Sequence, residues 1–217
     1  MAIDINVLLS AQLHDLKNQM QALLNAQSEL EDALNLTPEQ QSLLEKLHDH
    51  SSHLSQRVVE LLSVLKMQNQ SFKPNIEECW LSDTLSPIVQ EFFELHGVNI
   101  TLDFDEDFNQ FYDEQLVNIA VHNACMNAFQ AGATAIRIHI NELEKGRWQL
   151  HIEDNGPGFP DEHLNHENAF TPNGTQNGLG LYLIEQAMHA HKRNQAHGEV
   201  RLQNLEHSGA QVTLIFP

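Results

Sequence analysis

Near the start of the chain, His14-Asp15-Leu16-Lys17-Asn18 places an imidazole, a carboxylate, an ammonium and an amide within five positions. The cluster interrupts a segment otherwise striped with leucine. His14 is either a chemical group, its imidazole poised near neutrality, or a polar residue on a solvated helix face. Three more clusters lie in the second half. Asn123 and Asn127, in HNACMNAFQAGA, are four residues apart and share one helical face. Two amides there offer oxygens to a hard cation such as Mg²⁺, which keeps waters and bridges to phosphates. HIEDNGPGF ends a strand in Asp154, poised to accept a hydrogen bond from an exocyclic amine such as that of adenine. Gly156 and Gly158 then allow close backbone approach to a flat ligand. In NGLGLYLIEQ, Gly178 and Gly180 open a helix whose N-terminus can receive phosphates. Taken singly, each cluster also reads as a polar helix face, an ordinary turn or a glycine-rich helix start.

The elements that must position these residues follow from periodicity. Residues 5–35 read as one helix, with Leu9, Leu13, Leu16, Met20 and Leu23 as its apolar stripe. In NLTPEQQ, Thr37 suits an N-cap, Pro38 the first helical position and Gln40 the far side of a capping box. A second helix then runs to about residue 70, striped by Leu47, Ser51, Leu54, Val58, Leu61 and Leu65. Two long stripes cannot be buried by one hairpin, and pairing two hairpins into a four-helix bundle would bury both. QNQSFKPN, residues 68–75, reads as a linker. Beyond it come a helix over 81–95, a strand over 98–104, and a helix over 113–133 ending at Gly132. TAIRIHI and RWQLHIED read as an antiparallel pair around NELEKG. A helix from Gly178 and closing strands EVRLQN and AQVTLIF complete an α+β sandwich, with helices on one face of an antiparallel sheet. The expected domains are 1–70 and 76–217.

Composition narrows the function. The 217 residues carry 30 acids against 11 bases, a formal charge of -19, which disfavours nucleic acid and anionic membrane as partners. Cys79 and Cys125 have no disulfide or zinc-like spacing. No run of about 18 apolar residues spans a membrane, and the N-terminus lacks signal-peptide features. A cytoplasmic location is expected.

The order of the clusters carries more than each alone. An asparagine helix, D-x-G-x-G about thirty residues on, and G-x-G-L about twenty further resemble the ATP-binding domain shared by histidine kinases, gyrase, Hsp90 and MutL, over about residues 80–217. Gyrase, Hsp90 and MutL place a water-activating glutamate where this chain has Asn123, so the N-x-x-x-N pattern resembles histidine kinases. His14-Asp15-Leu16-Lys17-Asn18 in turn resembles that family's H-[ED]-x-[KR]-[NT] on the first helix of a dimeric hairpin. The resemblance implies ATP and Mg²⁺ as cofactors, with Asn127 on the metal and Asn123 supporting. Asp154 would bind adenine, and Gly156, Gly158, Gly178 and Gly180 would shape the pocket and its lid. His14 would be the phosphoryl acceptor and Asp15 would take the proton from its other nitrogen. Asn18 would orient a water that removes phosphate from the partner's aspartate. The implied partners are a second copy of the chain, the receiver domain of a response regulator and a separate sensor protein.

Some positions depart from that pattern. Gln19 stands where a proline often follows the asparagine, and His14-Asp15 with Gln19 also resembles H-D-x-x-x-Q, the pattern of another kinase subfamily. Gln130 replaces a frequent basic residue, and the lid is reduced to NAFTPNGT, with Phe170 as its candidate. HAHKRNQAHG, residues 189–198, is longer than the usual turn and reads as a solvated loop. The alternative function is a non-catalytic histidine phosphotransfer or docking protein that keeps a kinase-like ATP domain.

Overall fold

A computed structural model describes residues 5–33, 37–68, 73–164 and 178–217. The chain divides into two compact units, Met1–Phe72 and Lys73–Pro217.

The first unit holds α1 (Ile5–Ala33) and α2 (Pro38–Gln68). The capping box forms reciprocally: the Thr37 N–H donates to Gln40 Oε1 at 2.9 Å, and the Gln40 N–H donates to Thr37 Oγ1 at 3.3 Å. Two of the donors orphaned at the start of α2 are thereby satisfied. The helices pack on each other through Gln27, whose Nε2 donates to Ser51 Oγ at 3.1 Å, and through buried Met20 and Val58. Not all of the expected stripe is covered. Leu16 and Leu23 on α1, and Leu47 and Leu54 on α2, stay exposed, as do Leu30 and Leu43 outside the expected stripes.

The second unit contains β1 (Glu77–Trp80), α3 (Leu81–His96), β2 (Asn99–Asp103), β3 (Asn109–Tyr112), α4 (Glu114–Gln130), β4 (Ala135–Glu142), β5 (Trp148–Asp154), α5 (Asp161–Leu164), α6 (Gly178–Ala190), β6 (Lys192–Arg193), β7 (Ala196–His197), β8 (Glu199–Asn204) and β9 (Ala210–Phe216). Its main sheet has the order β2-β4-β5-β9-β8. The sheet is not wholly antiparallel as expected, because β2 runs parallel to β4. The chain leaves β2, forms β3 and α4, and returns in the same direction, so a helix-containing crossover replaces a hairpin. Two short pairs were not expected either. β1 pairs with β3, and β6 pairs with β7 inside the segment read as a solvated loop.

Register explains the layering. Leu102, Ile138, Ile152, Val212 and Leu202 lie on one rung across the five strands, and Ile140, Leu150, Leu214 and Val200 on the next. Side chains alternate across a sheet, so these rungs form its helix-facing side, where α4 and α6 cover them. The rung between carries His139, His151, Thr213 and Arg201 and faces the other way. Each fully buried leucine or isoleucine stabilises by about 1.5–3 kcal/mol relative to exposure.

Asp113 ties the unit together. Its Oδ1 caps α4 by accepting the Leu116 N–H at 3.0 Å, and its Oδ2 accepts the Asn75 N–H at 2.7 Å. Its own N–H donates to Nε2 of buried His191 at 3.1 Å, and His191 Nδ1 lies 2.9 Å from the Ala187 carbonyl. That pattern fixes a neutral ring with the proton on Nδ1. Burial, the main cause, holds the His191 pKa below its ordinary value. An unfolded chain therefore takes up this proton at higher pH than the folded one, and His191's stabilising contribution is full above about pH 6.5 and lost as pH falls. His191→Gln should cost about 1–3 kcal/mol at pH 7 by urea unfolding. The gap to wild type should narrow by pH 5; a gap that widens would contradict a neutral His191.

Candidate functional site

Four segments, α4, β5 with the turn after it, α6 and β9, meet around a cavity of about 210 Å³. Its floor is apolar, made by Ile152, Leu181 and Val212, and its polar members are Asn127 and Asp154. A flat heterocycle with a polar edge is the ligand shape such a lining accepts. Asp154 reaches the cavity through strand alternation. Trp148, Leu150 and Ile152 point inward along β5, and Asp154 is the next inward position.

The Asp154 carboxylate is held by main-chain donors. The Gly156 N–H donates to Oδ1 at 2.7 Å, and the Ala210 N–H donates to the same oxygen at 3.2 Å. Among the described residues, no hydrogen bond reaches Oδ2, so that oxygen remains to accept an amine. A Cβ on Gly156 would lie 2.9 Å from Asp154 Oδ1, which explains the missing side chain.

Sequence reasoning missed the partners of this carboxylate. Gly209, with φ of +105°, crosses so close that a Cβ would lie 1.9 Å from the Asp154 carbonyl oxygen. Only glycine fits both the dihedral and the space. Ser208 Oγ donates to the Gly156 carbonyl at 2.9 Å. Asn204 grips Phe159 with both ends of its amide: the Phe159 N–H donates to Oδ1 at 2.6 Å, and Nδ2 donates to the Phe159 carbonyl at 2.9 Å. Gly158, with φ of +90°, passes beside that amide, where a Cβ would lie 2.8 Å from Asn204 Oδ1. The only available sequence signal was the small pair Ser208-Gly209 just before the last strand.

On α4, Asn123 and Asn127 play unequal parts. Asn123 is 5% exposed and its Nδ2 donates to the Ile119 carbonyl at 2.8 Å. Asn127 Nδ2 is buried without a hydrogen-bond partner. Gly180, in the first turn of α6, backs onto both. A Cβ there would lie 3.0 Å from Asn127 Oδ1 and 3.3 Å from Asn123 Oδ1. The orphaned Nδ2 is a donor that a phosphate oxygen would satisfy, the Oδ1 of the same amide is the atom a cation would take, and glycine at position 180 lets α6 pack against both amides. Gly178 is the first residue of α6. Gln130, the last residue of α4, is exposed. Cys125, buried behind the cavity, has its thiol pushed up by burial and secondarily by Asp154, so it stays protonated and inert. The lid candidate Phe170 lies outside the described residues.

The structure thus gathers Asn123, Asn127, Asp154, Gly156, Gly158 and Gly180 within one unit. His14, Asp15 and Asn18 are on α1, in the other unit. Asp15, Lys17, Asn18 and Gln19 are exposed. His48 and His50 are exposed on α2.

Residues 112–217 match the family of histidine kinase-, DNA gyrase B-, and HSP90-like ATPases. The sensor histidine kinase GtrS of Pseudomonas aeruginosa is 39% identical over 72 residues, which are 31% of this chain and 14% of that protein. Full-length ShkA, solved in complex with AMPPNP, superposes with a TM-score of 0.69 at 18% identity, covering 96% of this chain and 45% of that one. The histidine kinase AdeS of Acinetobacter baumannii gives a TM-score of 0.63 at 19% identity, covering 94% of this chain and 96% of that one. The chain therefore spans less than half of the length of GtrS and of ShkA that it matches. None of its described helices is long and apolar enough to cross a membrane. Residues 112–217 thus resemble the histidine kinase, DNA gyrase B and HSP90 type of ATPase domain, and the chain as a whole resembles the transmitter module of a sensor histidine kinase.

Proposed function

We propose that this protein is a cytoplasmic histidine kinase that moves the γ-phosphoryl group of ATP to His14 and then to an aspartate of a response regulator. The observation that carries the reading is the convergence of Asp154, Asn127 and Gly158 on one apolar-floored cavity, with Gly180 packed against Asn127. Residues 73–217 would be the catalytic domain, and 1–72 the dimerisation and phosphotransfer domain.

Asp154 Oδ2 would accept the adenine amine while its other oxygen stays bound to the Gly156 and Ala210 amides. Asn127 would give its amide oxygen to Mg²⁺, supported by Asn123, and Gly180 would let the start of α6, where the phosphates would sit, pack against both amides. Mg²⁺ bound with the nucleotide neutralises charge on the phosphate oxygens. One imidazole nitrogen of His14 would form the N–P bond as the bond from the γ-phosphorus to the bridging oxygen breaks and ADP leaves. Asp15 would accept the proton from the other nitrogen. Asn18, one turn along α1, would orient a water for the reverse task of dephosphorylating the regulator. With Asn123 in place of a general base, hydrolysis of ATP by water lacks its proton acceptor.

Dimerisation rests on the pattern of α1. Buried Met20 and Gln27 are seven residues apart, and so are exposed Leu16, Leu23 and Leu30. The first row faces α2. The second is a heptad row left for another hairpin to cover. The resulting dimer would take its input from a separate sensor protein. Leu23→Ser with Leu30→Ser should halve the mass measured by light scattering at micromolar concentration; an unchanged mass would remove this row from the interface.

The central test incubates the protein with γ-labelled ATP and Mg²⁺. Wild type should acquire acid-labile label, and His14→Ala and Asn127→Ala should acquire none. Nucleotide binding without label would favour the non-catalytic phosphotransfer reading. Label that survives in His14→Ala would reassign the acceptor, with His48 and His50 next in line. Asp154→Asn should weaken ATP binding about ten- to a hundredfold, the loss of a hydrogen bond to a charged acceptor. Ser208→Ala should weaken it only a few-fold; equal affinity for ATP and its inosine counterpart in wild type would show that Asp154 does not read the amine.

A further inference from the structure

Asp154 and Phe159 stand at the two ends of the turn that borders the nucleotide cavity, and both line it. Each end is held from the β8–β9 hairpin, by two residues that face each other. The Ala210 N–H donates to Asp154 Oδ1. Asn204 is the register partner of Ala210, and its side chain takes both main-chain groups of Phe159. Resting on the nucleotide reading of this cavity, we propose that Asn204 is a positioning residue for the base. Its amide sets where Phe159 stands relative to the Asp154 carboxylate.

The sequence around Phe159 explains why a side chain has this task. Phe159 lies between Pro157-Gly158 and Pro160. Neither proline has an N–H, and Gly158 has φ of +90°, so this stretch cannot continue as a strand beside β8. Yet β8 is an edge of the main sheet, the place where another strand would pair. A primary amide carries the same donor and acceptor as a peptide unit. From the end of β8, Asn204 Oδ1 accepts the Phe159 N–H at 2.6 Å, and Nδ2 donates to the Phe159 carbonyl at 2.9 Å. These are the two bonds that a neighbouring strand would exchange with Phe159.

Gly158 lets the two chains approach. A Cβ there would lie 2.8 Å from Oδ1, 3.0 Å from Cγ and 3.3 Å from Nδ2 of Asn204, so the whole amide lies against the glycine. The hairpin makes both anchors one unit. Facing residues of an antiparallel pair have Cα atoms about 4.5–5.5 Å apart, so the Ala210 donor and the Asn204 amide move together. That spacing decides how a flat base fits. Asp154 would meet its polar edge, while an aromatic ring such as that of Phe159 gains from a π-face only at defined separation and tilt.

Titration calorimetry on the full chain, with MgATP and with adenosine, tests this. Asn204→Ala should weaken both ligands by the same factor, about tenfold, as expected for two lost hydrogen bonds. An equal factor means that the effect is on the base, since adenosine has no phosphates. Phe159→Ala should weaken both ligands to a similar extent. The double variant should be little worse than either single one, because Asn204 acts through Phe159. A cooperative urea transition in each variant reports an intact fold. Losses that add in the double variant, or a loss for MgATP with adenosine unchanged, would overturn the proposal. Unchanged affinity in Asn204→Ala, with wild type binding both ligands, would overturn it too and leave the nucleotide reading standing. Failure of wild type to bind either ligand would remove the nucleotide reading and this inference with it.

Discussion

The candidate nucleotide pocket is organised around one oxygen atom. Asp154 Oδ1 accepts two main-chain N–H groups, from Gly156 on its own turn and from Ala210 on the neighbouring strand. A carboxylate so bound cannot rotate, because turning it would break both bonds in a poorly hydrated site. The second donor arrives only because β9 begins where it does. Gly209 crosses directly over the Asp154 carbonyl, at a distance that admits no side chain. Ser208 adds a bond to the Gly156 carbonyl, and Asn204 fixes the far end of the turn at Phe159. The D-x-G-x-G turn is thus shaped as much by the β8–β9 connection as by its own glycines. The direction of Oδ2, which would decide what the pocket recognises, follows from these contacts.

Strand β5 links this pocket to the rest of the unit. Its inward row runs from Trp148 through Leu150 and Ile152 to Asp154, so the same alternation that builds the core delivers the carboxylate. At the Trp148 end, the core is closed by Phe216 and Tyr112. Tyr112 bonds Thr84 through its hydroxyl at 2.8 Å, and burial pushes its pKa up to about 12. The next residue, Asp113, caps α4 and receives the start of the unit at Asn75. Helix α4 is therefore anchored at its N-terminus near one end of β5 and presents Asn127 near the other. A ligand at the Asp154 end meets side chains already locked by packing, which lowers the ordering cost of binding.

Much of this was legible in the sequence, and the gaps have physical causes. The capping box at Thr37, Pro38 and Gln40 was readable because its geometry depends on four consecutive residues. The strands around NELEKG and the terminal strand alternate over seven or eight residues, long enough for period-2 patterning to show. EECW and NQFY are too short and polar to carry that pattern, so β1 and β3 stayed hidden. Their pairing depends on the core residue Tyr112, which is distant in sequence from Glu77. Strand direction leaves no trace in residue order, which is why the parallel β2–β4 pair was missed. Gly209 looked like any turn glycine, since its requirement comes from Asp154, more than fifty residues earlier. The candidate site's motifs were visible as spacing, but their mutual support was a property of the fold.

The helical unit raises a different constraint. A hairpin of two long helices buries little, and here its packed row contains a polar pair, Gln27 with Ser51, beside Met20 and Val58. Gln27 Oε1 is left buried without a partner. A polar layer costs stability relative to leucine, but a register shift would separate the pair and leave two buried polar groups unsatisfied. Such a layer fixes how α1 lies along α2 while the leucine row at 16, 23 and 30 stays available for a second hairpin. Register would matter for the proposed phosphoryl transfer, in which His14 would have to occupy one defined height on the helix. The buried layer thus trades stability for position, in the unit that would carry the proposed phosphoryl acceptor.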